Sequence, residues 1–167
     1  MAYNKSILAS YEDFEEYFLE MTNDYIDDKG NTVFIGVKKV VIGTMEDVET
    51  VQKNATTEIY PMLFVHIPSF ESFNSGGNKN HFETDFLALE RHNADTVERR
   101  RIFNLTRNIV LNIQKKMEAD AQNGVFDFDG RLQAQPKTNL TFGKCLGWFV
   151  SFEIATPGVG VDSDYRQ

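Results

Sequence analysis

The chain has 167 residues, of which 41% are hydrophobic and 13% aromatic, and its formal charge is −8 at pH 7. This length suits one core, so we expect a single domain over residues 1–157 and a flexible tail over residues 158–167. The negative charge argues against nucleic acid as a specific ligand, and no apolar run reaches the roughly 18 residues of a membrane span.

The first part of the chain is predicted to form an amphipathic helix. Ser6 is a suitable N-cap, and Gly30 ends the segment. Alternating spacings of four and three define one apolar face, whose members are Ile7, Tyr11, Phe14, Phe18, Met21 and Tyr25. A strand from Thr32 to Ile42 follows, because this stretch is rich in β-branched residues. The next stretch, "TMEDVETVQKN", fits either one or two helical turns or a loop.

Two strands joined by a long loop are predicted in the middle of the chain. An apolar run bounded by two prolines favours a strand between Tyr60 and Ile67. The alternating stretch "HFETDFLALERH" predicts a second strand, and we expect the two to form a hairpin. The polar stretch "ESFNSGGNKN" between them is predicted to be a mobile loop centred on Ser75, Gly76, Gly77 and Asn78.

The clearest predicted element is a long helix in the second half of the chain. Asp95 and Glu98 have the spacing of a capping box, and Asn123-Gly124 ends the segment. Its core-facing stripe is predicted to contain Ile102, Leu105, Ile109, Ile113 and Met117. Its exposed face is predicted to be basic, with Arg99, Arg100, Arg107, Lys115 and Lys116.

Two extended segments, "FDFDGRLQAQP" and "LTFGKCLGWFVSFEIATP", close the chain. In the second, Trp148, Val150, Phe152 and Ile154 share one face, as in a strand with one buried side. We therefore expect Trp148 and Phe152 to join Ile109 and Ile113 in the core. The order of elements has no regular βαβ repeat and predicts an α+β fold: a mostly antiparallel sheet with two long α-helices packed on one face.

Metal-competent side chains occur on the predicted hairpin. His81, Glu83 and Asp85 would share one side of a strand, and His66 would lie on the neighbouring strand. Their spacing matches no metal-ligand motif, so the preferred interpretation is a solvated hairpin face. Asp127, Asp129 and Gly130 form part of a calcium-loop pattern, but the other ligands are missing, and an Asp-Gly turn is favoured.

Catalytic and cofactor motifs are not recognised in the sequence. Cys145 has no cysteine partner and no local nucleophile signature, so it is interpreted as a small buried residue at the start of a strand. The glycine-paired stretch lacks the Lys-Ser/Thr ending of a phosphate loop. We accordingly predict no catalytic residue, no metal and no cofactor.

Three arginines, Arg99, Arg100 and Arg101, stand at the start of the long helix, where they oppose the helix macrodipole. Glu98 or Asp95 of the same chain could offset this cost. The alternative is a contact with an acidic surface of a neighbouring subunit, and the sequence leaves both open. The candidate oligomer interface comprises these arginines together with Ser75, Gly76, Gly77 and Asn78.

Several local features occur in a characteristic order. A strand opens at Tyr60-Pro61, a long-looped hairpin follows, a helix starts at Ala94-Asp95, and a last strand carries Gly147-Trp148 and ends at Pro157. With the N-terminal amphipathic helix, this pattern between Ile7 and Pro157 resembles the tail terminator, or tail-completion, proteins of long-tailed bacteriophages.

The resemblance implies an architectural function in the virion, after assembly in the host cytoplasm. The expected product is a homo-oligomeric, hexameric ring that caps the tail tube and docks to the head connector, with DNA passing through it. The tube protein and the connector or neck proteins are the implied partners. Alternatives are another phage neck or tail ring protein, a small hydrolase that uses His66, His81 and Asp85, or a ligand-binding module.

Overall fold

The computed structural model describes residues 11–27, 29–44, 46–47, 50, 59–73, 79–91, 96–137 and 145–156. Helix α1 spans Tyr11–Leu19, and a 3₁₀ turn over Glu20–Thr22 extends it. Of the predicted face, Phe14, Phe18 and Met21 are buried as expected. Ser6 and the predicted tail at 158–167 lie outside the described residues, as does most of "TMEDVETVQKN".

The end of the first helix leads into a small antiparallel sheet. Strands β1 (Tyr25–Ile26) and β2 (Thr32–Val33) pair around a turn in which Asp27 Oδ1 accepts hydrogen bonds from two backbone N–H groups. Tyr25, predicted to be helical, is therefore in a strand. The predicted single strand Thr32–Ile42 is also wrong, because Gly36 adopts a φ of 87° and interrupts it. Residues that favour extended backbone stand on both sides of this glycine, so the sequence pattern predicted one strand where the structure has two.

Within the described residues, the large sheet contains six strands: β3 (Lys39–Gly43), β4 (Met62–His66), β5 (Ser69–Phe73), β6 (Lys79–Arg91), β7 (Gln133–Lys137) and β8 (Cys145–Thr156). Their spatial order is β3-β4-β6-β8-β7, and β5 also pairs with β6. Strand β3 runs parallel to β4, whereas the other pairings are antiparallel, so the sheet is mixed.

The predicted central hairpin is confirmed, because β4 and β5 both pair with β6 in the antiparallel direction. Val65 faces Phe86, and Ser69 faces Glu83. Between these two pairs lie three residues on one side (66–68) and two on the other (84–85). This one-residue excess is a bulge between β4 and β5. Glu71 and its neighbours to Phe73 were predicted as loop, but they belong to β5, whereas residues 74–78 lie outside the described part.

Helix α2 spans Thr96–Gln122 and ends before Gly124, whose φ is 81°. The predicted long helix is thus confirmed, with two differences in its faces. Leu105 is only half-buried, and Lys116, predicted on the exposed basic face, is buried. The buried residues of α2 are Ile102, Thr106, Ile109, Val110, Ile113, Lys116 and Met117.

The main core lies between the helices and one face of the large sheet. Ile109, Ile113 and Phe152 are buried there, and half-buried Trp148 packs against the same cluster. Trp148 Nε1 donates to the carbonyl of Phe103 at 3.0 Å, which gives the indole N–H a partner. Among the described residues, no helix is both long and apolar enough to cross a membrane.

The predicted fold class is wrong. In the described part of the chain only α2 is long, since α1 has nine residues, and a separate two-stranded sheet follows α1. The large sheet is mixed because β4, which begins at Met62 after the connection from Gly43, runs in the same direction as β3 and pairs with it. Side-chain alternation is the same in parallel and antiparallel strands, so the sequence pattern does not reveal the direction.

Candidate functional site

The face of the large sheet that points away from the helices is divided into an apolar and a polar part. Along β6, Phe82, Phe86 and Ala88 pack in the main core, whereas Leu87 and Leu89 belong to a second buried cluster on the other face. The alternation of a strand places His81, Glu83 and Asp85 on this second face as well. The polar part therefore collects the residues that the sequence singled out for metal binding.

His66 and Asp85 form a pair at the bulge between β4 and β5. His66 Nδ1 is hydrogen-bonded to Asp85 Oδ1, and the two side chains are 24% and 27% exposed. Burial lowers the pKa of His66, so the neutral ring is favoured at pH 7. In that form Nδ1–H donates to the carboxylate, which fixes the tautomer and leaves Nε2 as the acceptor.

The stability of the protein is expected to fall as the pH decreases through the range in which His66 titrates. The unfolded chain takes up a proton near the ordinary pKa of 6.5, whereas the folded protein does so only at a lower pH. Below pH 6.5 the unfolded state therefore binds more protons, and the free energy of unfolding decreases until the folded pKa is passed.

Urea denaturation across this pH range measures the effect. His66→Asn keeps a donor near the Nδ1 position and should reduce the pH dependence, and His81→Gln is the matched control that should keep it. An unchanged dependence in His66→Asn would show that other groups produce it.

His81 lies in a separate pair. His81 Nδ1 and Glu153 Oε1 are 2.7 Å apart, and Glu83 lies directly opposite Glu153 in the sheet. His81 and Asp85 are four residues apart on one strand, which corresponds to roughly 13 Å. The four metal-competent residues are therefore not brought to one point. Within the described chain, no group of three or more His, Cys, Asp or Glu side chains is suited to hold a metal ion.

The order of groups across the strands also bears on the hydrolase alternative. Ser151 lies opposite Asp85 on one side, and His66 pairs with Asp85 on the other. Because neighbouring strands are about 4.8 Å apart, the histidine and the serine are separated by about 10 Å. In a Ser-His-Asp triad the histidine lies between the other two groups. Here the carboxylate lies between them, so His66 is not placed to deprotonate Ser151.

An open groove of about 640 Å³ lies where the C-terminal part of α2, the segment after it and the ends of β6 and β8 meet. We call it the acidic groove, because its lining includes Glu118, Asp127, Asp129 and Glu153 together with His81. Arg131 lies 3.9 Å from Asp129, but both side chains are largely exposed, so this pair contributes little. The groove is therefore suited to cationic groups.

Backbone contacts hold the segment that forms one wall of this groove. Asp127 and Ala155 exchange two backbone hydrogen bonds, and Gln114 Nε2 donates to the carbonyl of Gly130 at 2.7 Å. The predicted Asp-Gly turn is confirmed, since Gly130 has a φ of 80° and Asp129 accepts a bond from the N–H of Arg131. The sequence therefore located the turn but not the groove that it lines.

The three arginines of the predicted interface have different surroundings. Arg101 Nη2 lies 3.5 Å from Glu98 Oε1, so this arginine has a partner in its own chain. Arg99 and Arg100 are exposed, and neither has a carboxylate within 4.0 Å in the ranges that the structure describes. Their proposed companions Ser75, Gly76, Gly77 and Asn78 fall outside those ranges, as does Asp95.

The buried polar groups include Lys116, which was predicted on the exposed face, and Tyr17, which was not assigned to the buried face of the first helix. Lys116 Nζ and Tyr17 Oη each donate to Asp120 Oδ2 at 2.7 Å, which forms a buried network between α2 and α1. The i, i+4 spacing of Lys116 and Asp120 could have indicated their ion pair, but Tyr17 is 103 residues from Asp120. Cys145 is buried, its thiol lies 3.4 Å from the Tyr60 hydroxyl, and burial raises its pKa.

Comparison of the sequence with protein-family models and with curated proteins finds no match. A functional interpretation consequently depends on the residues and surfaces of this chain.

Proposed function

We propose that this chain is a structural protein that assembles with copies of itself into the tail terminator, or tail-completion, ring of a long-tailed bacteriophage. The choice of this family is based on the sequence pattern from the N-terminal amphipathic helix to Pro157, which resembles that of tail terminator proteins. The structural observation that carries the proposal is the exposed edge strand β7. Its first four residues are exposed, and it lies at one end of the strand order.

An exposed edge strand offers backbone N–H and C=O groups to a strand of another chain. Gln133, Ala134 and Gln135 present such an edge, and Pro136 shortens it because proline has no N–H to donate. Strand β3 lies at the opposite end of the strand order. A contact that joins different surfaces of successive copies closes into a ring when the rotation between copies divides a full turn.

Exposed apolar side chains on the β1–β2 hairpin also support an assembled state. Ile26 is 71% and Phe34 is 68% exposed. Ile26 lies opposite Thr32, so strand alternation places Ile26 and Phe34 on the same outward side. Single exposed apolar residues are ordinary, but two large ones on one side of a hairpin form a patch suited to a protein contact.

The overall charge is compatible with a channel for DNA. A net charge of −8 provides no general phosphate-binding surface, so DNA would pass without the gain in affinity that counterion release gives. In the proposed function the ring binds the last layer of the tail tube, prevents further addition of tube protein and presents another surface to the head connector.

Light scattering coupled to size-exclusion chromatography, over a wide range of concentration, tests the self-assembly. We expect an oligomer of defined size, and negative-stain electron microscopy should show rings. The double substitution Ile26→Asp with Phe34→Asp is expected to weaken association by about tenfold or more, as for a contact worth about 1.4 kcal/mol. Thr22→Asp with Asn23→Asp, which adds the same charge at two exposed positions just before the hairpin and outside the patch, provides the matched control.

A monomer at every concentration would contradict the proposed function. Addition of the protein to growing tubes of the tube protein from the same phage distinguishes a terminator from another neck ring. A terminator should bind one tube end and stop elongation, whereas a neck ring should bind only the connector.

A further inference from the structure

Charge is strongly segregated along α2. Residues 96–115 contain five basic side chains and one acidic side chain, which gives this stretch a net charge of +4. The whole chain has a net charge of −8, so the remaining residues carry −12. The part of α2 from residue 96 to residue 115 is therefore a basic surface on an otherwise acidic protein.

The exposed part of this surface consists of Arg99, Arg100 and Arg107, and we call it the basic face. All three side chains are exposed, and Arg100 and Arg107 are seven residues apart, or about two turns. Over the described ranges, none of the three forms an ion pair. Cations near a helix N-terminus oppose its macrodipole, so an acidic partner at this position would relieve an unfavourable interaction.

The acidic groove lies at the other end of the same helix. Glu118 and Gln122, in the last turns of α2, line it. Arg100 and Glu118 are 18 residues apart in sequence, which corresponds to about 27 Å along the helix. An arginine side chain spans only a fraction of this distance, so the basic face cannot enter the groove of its own chain.

We propose that the basic face of one copy docks in the acidic groove of a second copy. Guanidinium groups form paired hydrogen bonds with carboxylates, which suits Arg99 and Arg100 to the Glu118 and Asp129 side chains. The groove is open and has a volume of about 640 Å³, so it can admit arginine side chains. Phe128 in its lining offers an aromatic ring against which a guanidinium can stack.

This contact is head-to-tail, because each copy uses two different surfaces at opposite ends of one helix. Such a heterologous contact leaves one basic face and one acidic groove available at the ends of any open chain of copies, and both are used when a ring closes. The inference deepens the proposed function and rests on it for ring closure. It also selects an acidic surface of a neighbouring copy as the partner of Arg99 and Arg100.

Charge reversal on each surface tests the contact in the full-length chain. The first variant carries Arg99→Glu and Arg100→Glu, and the second carries Glu118→Lys and Gln122→Lys. The changed side chains are exposed, and the helix macrodipole favours acids near its start and cations near its end, so both variants should fold. Glu12→Lys with Glu16→Lys is the matched control, because it reverses two exposed charges of α1, outside both surfaces and outside the edge strands β3 and β7.

Sedimentation velocity at low and high salt gives the readout, with circular dichroism to verify folding. Each surface variant should associate at least tenfold more weakly than the unmodified protein, and the control should associate normally. An equimolar mixture of the two variants should recover association, since the reversed surfaces complement each other. High salt should weaken association of the unmodified protein by screening.

The possible outcomes separate this inference from the proposed function. Normal association of both surface variants would overturn the docking contact while leaving a ring assembled through other surfaces. Weakened variants that do not recover on mixing would overturn the pairing of these two surfaces. An unmodified protein that remains monomeric would overturn the proposed function and the contact together.

Discussion

Replacement of Gly147 with alanine is expected to lower the free energy of unfolding by about 3 kcal/mol, the upper part of the range for overpacked sites. Gly147 is buried in β8, opposite Leu89 of β6. A Cβ atom at this position would lie 2.8 Å from the carbonyl carbon of Ala88 and 3.1 Å from Cα of Leu89. Both are backbone atoms in the most extensive pairing of the sheet, so the clash cannot be relieved by rotation of a side chain.

Urea denaturation of Gly147→Ala measures this effect. Ser151→Ala, four residues further along the same strand, is the matched control, because Ser151 is half-buried and already has a Cβ atom. We expect the control to change the free energy of unfolding by less than about 1 kcal/mol. Equal midpoints for the two variants would show that β8 can move away from β6 at Gly147 without loss of packing.

The elements that the sequence predicted well have strong local signals. Helix α2 has a long stripe of apolar residues and ends just before Gly124, and β4 is an apolar run bounded by Pro61 and Pro68. The break between β2 and β3 was missed because residues on both sides of Gly36 favour extended chain. Strand direction was missed because it depends on where the connection between β3 and β4 returns the chain, and no local pattern records that path.

The candidate site depended on contacts that are distant in sequence. His66 meets Asp85 because the register that pairs Val65 with Phe86 continues for one more residue, and the positions of the two residues along the chain do not reveal that register. The acidic groove requires α2, the turn at Gly130 and β8 to meet. Lys116 was assigned to the exposed face because lysine is seldom buried without a partner, and its partner network includes a residue from α1.

Removal of Asp120 is the second substitution with a large expected effect. Its Oδ2 accepts hydrogen bonds from both Lys116 Nζ and Tyr17 Oη, and Lys116 Nζ lies 4.5 Å from the centre of the Tyr17 ring. The Lys116 side chain is 9% exposed, and burial, reinforced by the Asp120 charge, raises the pKa of Tyr17 well above its usual value. Asp120→Ala leaves an ammonium group and a hydroxyl buried without this acceptor. We expect a loss of about 3 to 5 kcal/mol in the free energy of unfolding.

A comparison of single and double variants shows whether the loss comes from the uncompensated charge. Lys116→Met combined with Asp120→Ala removes both charges, so the double variant should be more stable than Asp120→Ala alone despite its additional substitution. Tyr17→Phe removes only a hydroxyl, and it should cost about 1 kcal/mol. If the double variant is instead less stable than Asp120→Ala, Lys116 contributes through the packing of its methylene chain and its contact with Tyr17, and the ion pair is not what the helices require at this position.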